Sequence, residues 1–329
     1  MRAAARPECH LCGSPGVPLY RDLSDSMFSA AGSWSISRCS NRGCGLLWLD
    51  PMPLAEDLAM AYASYYTHGA PARTVGYRLG RSLYRAALDI ALWVTGIPSE
   101  RRRSEAMFLG SSPPGALLDV GCGYGAFMSR MKARGWRVRG IDFDPQAARA
   151  ARDLHGLEVQ VGTLEGLTGT DSQFDVITAN NVIEHVADPV DFLVRCRGLL
   201  RPGGRVILKT PNASGYGARR YGPAWRGLEP PRHLHIFTPP ALSACARRAG
   251  LSVSSCFTSF GASEEILVAS DFIARKGSFR EQDLTLREKI ASRLQRPLLA
   301  LKARVAWHRD TLSGEELCAI LTADARDPG

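Results

Sequence analysis

The sequence of 329 residues predicts an α/β protein whose main domain is Rossmann-like, with a mostly parallel sheet. Two observations lead to this prediction. The apolar run at residues 117–120 is followed by Gly121, Gly123 and Gly125 and then by a helical pattern, which is typical of a strand, a tight turn and a helix. A second strand-like run at residues 136–141 ends in Asp142, and strands and helices go on alternating up to residue 257.

The glycine-rich turn and Asp142 indicate a crevice that binds a nucleoside. Glycines allow a positive φ and leave no side chain between the backbone and a ligand. A carboxylate after the second strand suits a ribose, because it accepts two hydroxyl hydrogen bonds at once. The turn is G-x-G-x-G behind Asp119, so it lacks the third-glycine spacing of the dinucleotide fingerprint G-x-G-x-x-G.

With these motifs the chain resembles the class I S-adenosylmethionine (SAM) methyltransferases from about residue 113 to its end. Segment 174–179 resembles the fourth strand of that family, and NNVIEHVADPVDFL follows it at 180–193. Segment 199–212, LLRPGGRVILKTPN, resembles the helix, Pro-Gly-Gly turn and fifth strand. The resemblance implies a seven-stranded sheet, with the sixth strand at 251–257, an antiparallel last strand at 315–322, and a helical insertion at 263–312 between them.

The resemblance implies an enzyme that uses SAM as methyl donor, with its donor-binding residues at the ends of the first four strands. It places Asp142 at the ribose and Phe143 beside the adenine. At the end of the third strand the family often has an acid, whereas this chain has Thr163, whose hydroxyl or neighbouring amides can take its place. The expected cofactor-binding residues are Asp119, Gly121, Cys122, Gly123, Asp142, Phe143, Thr163 and Asn180.

Three histidines are candidates for the acceptor side of the site. His185 follows Glu184 in VIEHV, and His233 and His235 lie in WRGLEPPRHLHIFTPPAL at 225–242. Loops at the carboxyl ends of parallel strands bind ligands in such folds, and a neutral imidazole can accept a hydroxyl proton near pH 7. His233 fits the family's motif position best, although each histidine can also serve only in packing. Aromatic side chains that can wall an acceptor pocket are Trp225, Tyr216 and Tyr221.

Two close cysteine pairs near the start of the chain predict a metal site. Cys9 and Cys12 form C-x2-C, and Cys39 and Cys44 form C-x4-C, a pattern that can place four thiolates around a tetrahedral zinc ion. With all four positions filled by protein, the zinc would be structural. The alternative is a remnant that no longer binds metal. His10 is expected to point away from the metal.

The predicted organisation is a zinc module at 1–50, a helical lid and linker at 51–112, and the SAM-binding domain at 113–329. The phrase CGLLWLDPMP and the tyrosines after it resemble one bacterial methyltransferase subgroup with such a cysteine module. In that subgroup a tyrosine-rich helix lies over the donor pocket, so Tyr62, Tyr65 and Tyr66 are candidate lid residues. Packing in the core is their alternative role.

Segments 76–96 and 286–305 have the pattern of basic amphipathic helices. Such a helix can lie on an anionic membrane surface or cap a substrate channel. It can also pack its apolar side on the core and leave its charged end in water, which we favour for segment 76–96. Pro297 is expected to break or kink the second helix.

Composition limits the remaining functions. The net charge of +9 fits an acidic partner or simply an Arg-rich proteome. No apolar run approaches the roughly 18–20 residues that span a bilayer, and the first residues have no signal-peptide core. The sequence therefore favours a cytoplasmic protein and leaves peripheral contact with the inner membrane face open.

The preferred function is methyl transfer to a small-molecule or glycan acceptor. The reaction we favour is O-methylation of a sugar or specialised metabolite, and this acceptor can be linked to a lipid. An RNA methyltransferase is the first alternative. It is disfavoured because residues 180–183 read NNVI where enzymes acting on base amines carry Asn/Asp-Pro-Pro-Tyr/Phe. A non-catalytic SAM-binding zinc protein is the second alternative. The oligomeric state and the methylated atom are not predicted.

Overall fold

The computed structural model describes residues 1–62, 75–167 and 174–323. The candidate lid residues Tyr65 and Tyr66 lie outside the described residues. The chain begins with five short strands: β1 (Ala3–Ala4), β2 (Gly16–Leu23), β3 (Trp34–Cys39), β4 (Leu47–Leu49) and β5 (Met52–Pro53). Strands β2, β3 and β4 form an antiparallel sheet, and β1 pairs with β5. A 3-10 helix at Ala55–Tyr62 follows where the sequence predicted α-helical spacing.

Two helices lead to the main sheet, α1 (Val75–Ala91) and α2 (Ile97–Glu105). The following strands are β6 (Ala116–Val120), β7 (Arg137–Asp142), β8 (Val159–Val161), β9 (Phe174–Asn180), β10 (Leu200–Pro211), β11 (His235–Ile236), β12 (Ser252–Ser259) and β13 (Glu316–Thr322). Seven of them form one sheet in the order β12-β13-β10-β9-β6-β7-β8.

The pairing in this sheet confirms the predicted Rossmann-like class I methyltransferase fold. Strands β6 to β10 pair in parallel, and β13 runs antiparallel to both of its neighbours, β10 and β12. The carboxyl ends of β6, β7, β8 and β9 therefore meet along one edge, where ligands bind in open α/β sheets. Each predicted strand of the core is present, with ends that differ by a few residues.

The remaining helices are α3 (Ala126–Lys132), α4 (Pro145–His155), α5 (Pro189–Leu199), α6 (Tyr216–Tyr221), α7 (Pro239–Arg248), α8 (Ser263–Lys276) and α9 (Leu286–Arg309). Several begin at side-chain caps, such as Asp144 for α4, Asp188 for α5 and Thr285 for α9. Within the described ranges, none of the helices has the length and apolar character needed to cross a bilayer.

The expected break at Pro297 is wrong, because α9 continues through this residue. A proline in a helix removes one backbone donor and crowds the preceding turn. Here α9 packs along α8 and buries Ser292 and Ala300 on either side of the proline. That packing holds the helix together across the missing hydrogen bond.

The first amphipathic helix packs on the core, as favoured, but through a different face from the apolar side that the pattern indicates. Leu83 and Ile90 of α1 are 62% and 77% exposed, and Val94 just beyond it is 88% exposed. Leu88 and Leu92, on the other side of the helix, are buried instead, beside Ile97 of α2. Periodicity identified the apolar stripe correctly, but the stripe points to solvent.

One apolar cluster joins the cysteine-rich region to the main sheet. It contains Cys9 and Trp48 near the start of the chain together with Leu118, Ile177 and Leu208 of the central strands. Strand β11 adds to the small sheet by pairing with β4, so that sheet has the order β11-β4-β3-β2. The N-terminal strands are thus packed against the loop that follows β10.

Candidate active site

The turn between β6 and α3 leaves open space above one glycine. Gly121, Gly123 and Gly125 have φ values of 68°, 53° and 80°, which L-residues rarely adopt. A Cβ on Gly121 would lie 2.6 Å from Val182, whereas a Cβ on Gly123 would meet nothing within 4 Å. Gly121 is therefore required by packing, and Gly123 lets a ligand approach the backbone.

Asp142 at the end of β7 links this turn to the next one. Its two carboxylate oxygens accept hydrogen bonds from the backbone nitrogens of Gly123, at 2.7 Å, and Asp144, at 2.9 Å. Each oxygen keeps a second lone pair that a ribose hydroxyl can use. Burial raises the pKa of Asp142 above its ordinary value. Phe143 follows it and is 52% exposed, so its ring is available to cover an adenine.

The other expected donor-site residues differ in what they can reach. Asp119 is buried beneath the turn and accepts a hydrogen bond from Thr178 Oγ1 at 2.7 Å, while burial raises its pKa to about 7. The Cys122 side chain lies in an apolar cluster with Met128, which leaves only its backbone for a ligand. Thr163 and Asn180 are exposed at the ends of β8 and β9. Among the described residues, this edge has the carboxylate, the exposed ring and the open backbone that fit a SAM nucleoside.

His185 and His233 come together beside the donor site, with ring centroids 4.8 Å apart. His233 Nδ1 lies 2.8 Å from the carbonyl oxygen of Gly227, and His185 Nδ1 lies 3.0 Å from that of Arg232. A carbonyl only accepts, so each Nδ1 carries hydrogen and each Nε2 is left as the basic nitrogen. Burial lowers the pKa of His233, and it lowers that of His185 to about 3. Both imidazoles are neutral at pH 7.

Tyr62 connects the histidines to the donor side. Its hydroxyl lies 3.0 Å from His185 Nδ1, and its ring meets the edge of Phe143 with centroids 5.1 Å apart. The lid role predicted for Tyr62 is consistent with this position between the two halves of the site.

Two carboxyl groups whose pKa values are shifted in opposite directions lie near the histidines. Burial raises the pKa of Glu184 to about 8, and Thr210 Oγ1 donates to one of its oxygens at 2.9 Å. Burial acts in the same direction on Glu229, but His233 and nearby arginines lower its pKa overall. Glu229 is therefore an anion that can stabilise a protonated His233. Ligand atoms of Glu184, His185 and His233 lie within 4.8 Å of one another, a spacing that can also hold a divalent cation.

His235 does not join this pair. It lies on β11, where its Nε2 is 3.4 Å from the Ala187 carbonyl oxygen and its ring is 5.8 Å from that of His10. Residues i and i+2 of a strand face the same side, but His233 lies before β11, where the chain is not a strand, and the two histidines contact different carbonyl oxygens. Burial lowers the pKa of His235 to about 4, which suits a packed neutral histidine.

The three aromatic residues predicted to wall the acceptor pocket differ in their burial. Trp225 is 2% exposed and donates from Nε1 to Glu315 at 3.2 Å, so it belongs to the packed interior. Tyr216 and Tyr221 are half-buried in α6.

Comparison with known proteins is consistent with this site and fold. Residues 100–255 match the methyltransferase domain family. The chain thus contains a methyltransferase domain, which covers the glycine turn, Asp142 and both histidines.

Curated relatives match part of this chain over part of their own length. A ubiquinone biosynthesis O-methyltransferase of Alkalilimnicola ehrlichii is 40% identical over 114 residues, or 32% of this chain and 46% of that protein. One of Cereibacter sphaeroides is 35% identical over 146 residues, or 41% of this chain and 59% of that protein. The chain thus spans about half the length of these relatives.

The fold of the chain is also similar to that of a solved structure. The 1,6-didemethyltoxoflavin-N1-methyltransferase of Burkholderia thailandensis is 17% identical, with a TM-score of 0.46 over 93% of this chain and 99% of that chain. The fold assignment therefore depends on the strand order of the sheet itself.

The four N-terminal cysteines meet outside the methyltransferase domain. Cys9 and Cys44 have sulfurs 3.7 Å apart, and those of Cys12 and Cys39 are 3.4 Å apart. All four sulfurs lie within 4.8 Å of one another. Zn–S bonds of about 2.3 Å in a tetrahedron give sulfur separations of about 3.8 Å, so the cluster fits zinc. His10 points away, with Nε2 3.2 Å from Asp188.

This cysteine cluster supports the loop that carries His233 through two contacts. Strand β4 follows Cys44 and pairs with β11, which begins two residues after His233. In the loop between β2 and β3, Asp25 accepts two hydrogen bonds from the Arg232 guanidinium, at 2.8 and 2.9 Å. Arg232 also donates to Glu229 at 3.0 Å and to the backbone oxygen of Ala61 at 3.0 Å.

The sequence analysis missed Asp25, Arg232 and Glu229. Asp25 and Arg232 are 207 positions apart, and nothing in the local sequence marks them as partners. The only available signal was the placement of charged residues inside the Pro-rich segment that contains the histidines.

Proposed function

We propose that the methyltransferase domain transfers the methyl group of SAM to a hydroxyl oxygen of a small-molecule or glycan acceptor. The observation that supports this most directly is the pair of neutral histidines beside the donor edge, of which His233 is buried and His185 half-buried. A base with a free Nε2 is what an alcohol or phenol acceptor needs, because its proton must leave when the oxygen is methylated.

Asp142, Gly123 and Phe143 would hold the donor. The carboxylate of Asp142 would accept hydrogen bonds from the ribose hydroxyls, the open backbone at Gly123 would lie against the methionine part, and the ring of Phe143 would cover the adenine. SAM supplies a methyl group already activated by its sulfonium, so the protein's task is to align the acceptor and remove its proton.

His233 would act as the base. Its Nδ1–H is held by the Gly227 carbonyl oxygen, which fixes the direction of Nε2. As the acceptor oxygen bonds to the methyl carbon, the carbon–sulfur pair returns to sulfur and the hydroxyl proton moves to Nε2. The anionic Glu229 would stabilise the imidazolium that forms, and His185 with Tyr62 would position the acceptor.

The names of the relatives support oxygen as the methylated atom. Both relatives described above are named O-methyltransferases, and they are 40% and 35% identical to this chain over 114 and 146 residues. A sugar or a specialised metabolite is the acceptor class we favour, and a lipid-linked form falls within it. RNA remains the disfavoured alternative, since the segment after β9 is NNVI.

We also propose that the cysteine cluster binds one structural zinc ion. Four cysteine sulfurs would fill a tetrahedral shell and leave no position for substrate. The pairing of β4 with β11 and the Asp25–Arg232 ion pair support a role for this metal in holding the His233 loop.

Turnover and acceptor class can be tested together. Purified protein is incubated with methyl-labelled SAM and a cell extract, and the products are separated into small-molecule, glycan, lipid, RNA and protein fractions. We expect label in the small-molecule, glycan or lipid fraction with the wild-type protein and more than about a hundredfold less with His233→Ala. Label in RNA would overturn the acceptor class. No label in any extract, with SAM binding confirmed by calorimetry, would favour a non-catalytic SAM-binding protein.

The same assay separates a base mechanism from a metal-assisted one. Dialysis against a chelator followed by a return of Mg²⁺ or Zn²⁺ should leave the pH dependence set by His233 in place. Activity that depends strictly on added divalent cation, at intact structural zinc, would instead assign Glu184, His185 and His233 to a metal.

A further inference from the structure

The longest helix carries its apolar stripe on the outside. Six large apolar side chains recur every three or four residues of α9 and are all exposed, between 42% and 75%: Leu286, Ile290, Leu294, Leu298, Leu301 and Val305. Residues at this spacing lie on one face of a helix. The stripe therefore forms a continuous apolar strip turned towards solvent.

The side of α9 that faces the protein buries small residues and packs one large one, Trp307, against Phe260. Ser292, Ala300 and Ala303 are buried, and they lie on the helix surface opposite the stripe. Small residues let the helix backbone pack closely on its neighbours without using its leucines. The fold therefore leaves the apolar stripe of α9 uncovered.

Helix α1 continues this arrangement beside α9. Tyr84 Oη donates to the backbone oxygen of Arg293 at 2.7 Å, and the exposed Leu83 and Leu294 are the chain neighbours of these two residues. Leu83 and Ile90 are 62% and 77% exposed, and Trp93 after the helix is 74% exposed. We call the exposed apolar residues of α1, Trp93 and the α9 stripe the apolar face.

Basic residues predominate among the charges around the apolar face, and its acids Asp89 and Glu288 are paired with Arg101 and Lys276. Arg287, Arg293, Lys302 and Arg309 of α9 are exposed beside the stripe. Glu288 is the single acid in the sequence of α9, and it pairs with Lys276 on the side of α8. Apolar side chains rimmed by uncompensated arginine and lysine match a surface of acyl chains below anionic head groups.

We propose that the apolar face of α1 and α9 docks the protein onto an anionic lipid surface, with the α9 stripe in the acyl-chain boundary and its basic residues at the head groups. The charge pattern selects this occupant over a second copy of the chain, because two such faces would bring arginines and lysines together. The docking would operate independently of methyl transfer and would bring the His185–His233 site close to a lipid-linked acceptor where one is used.

The test is sedimentation with vesicles of stated composition. Full-length protein is mixed with phosphatidylcholine vesicles and with vesicles containing phosphatidylcholine and phosphatidylglycerol, at low and high salt. We expect binding to the anionic vesicles that is at least about tenfold stronger than to neutral ones and that weakens as salt screens the head groups.

Matched variants assign the binding to this face. Leu294→Gln with Leu298→Gln should lower binding to anionic vesicles at least about tenfold while leaving the calorimetric Kd for SAM unchanged. Leu154→Gln on α4 is the control, since Leu154 is 55% exposed, as is Leu298. Arg287→Gln with Lys302→Gln should reduce the salt dependence.

Two results would overturn the proposal. One is absence of binding to anionic vesicles by wild-type protein whose SAM binding is intact. The other is binding that the double leucine variant does not alter. Sedimentation velocity without lipid identifies a second copy as the occupant if the wild type dimerises and the double leucine variant does not.

Discussion

Removing the Asp142 carboxylate should weaken binding of SAM without unfolding the domain. In the proposed donor site this carboxylate accepts two ribose hydroxyls while it already holds the backbone nitrogens of Gly123 and Asp144. Asp142→Ala removes all four of these contacts. The backbone donors can turn to water in the open turn, whereas the ribose hydroxyls lose an anionic partner.

The magnitude follows from the number of bonds lost. Hydrogen bonds to a charged group contribute about 1.5–3 kcal/mol each, so two of them at the lower end give about 3 kcal/mol. That energy corresponds to roughly a hundredfold in Kd, since about 1.4 kcal/mol is tenfold. Water entering the vacated space recovers part of it, so we expect a loss of between about tenfold and a hundredfold.

Titration calorimetry with SAM and S-adenosylhomocysteine measures this loss. Asp153→Ala is the matched control, because Asp153 is an exposed acid on α4, and it should bind SAM as the wild type does. Because burial raises the pKa of Asp142, affinity should also fall as the pH drops through a value above the ordinary one for an aspartate. Unchanged affinity in a variant with an unchanged melting temperature would refute the donor-site assignment.

Three further predictions concern the proposed base His233, the cysteine cluster and the buried Arg232. Because burial lowers the pKa of His233, the base should stay neutral below pH 6.5, so the acid limb of the kcat profile should lie below that of an ordinary histidine near 6.5. Metal analysis should find about one zinc per chain, and Cys9→Ser should lower both zinc content and the melting temperature, with Cys256→Ser as the control. Arg232→Met should cost about 3–5 kcal/mol in denaturant unfolding, because it leaves buried carboxylates uncompensated. The wild type should lose this ion pair's contribution as the pH falls through the pKa of Asp25, which Arg232 lowers against the effect of burial. An acid limb at the ordinary histidine value would contradict the role of His233 as base. Native protein without zinc would contradict the metal site, and an Arg232→Met variant as stable as the wild type would contradict the role of the ion pair.

The donor half of the site was predictable because its signals are local. Gly121, Gly123 and Asp142 belong to consecutive strand ends, and a parallel sheet brings consecutive strand ends to one edge. The alternation of strands and helices predicted the parallel part of the sheet, and the resemblance to the methyltransferases supplied the antiparallel last strand. What local pattern did not show is which atoms are already occupied, as with Asp142, or which side chain turns inward, as with Cys122.

The acceptor half depends on contacts between distant parts of the chain. Nothing in a single segment shows that Arg232 binds Asp25, or that His233 faces His185 while His235 does not. The amphipathic helices show a related limit. Helical spacing establishes that Leu294 and Leu298 share a face, but only packing decides whether that face or the one with Ala300 is covered.

The pairing of β4 with β11 has a consequence for how the chain can be divided. A fragment ending near residue 50 would lack the strand that completes its own sheet, and Leu47 and Trp48 would lose the partners that bury them. A fragment starting there would leave β11 as a bare edge and Arg232 without Asp25. Grafting the cysteine-bearing segment onto another enzyme would therefore require residues 229–238 to travel with it, and trimming the segment away would leave the loop that carries His233 without its support.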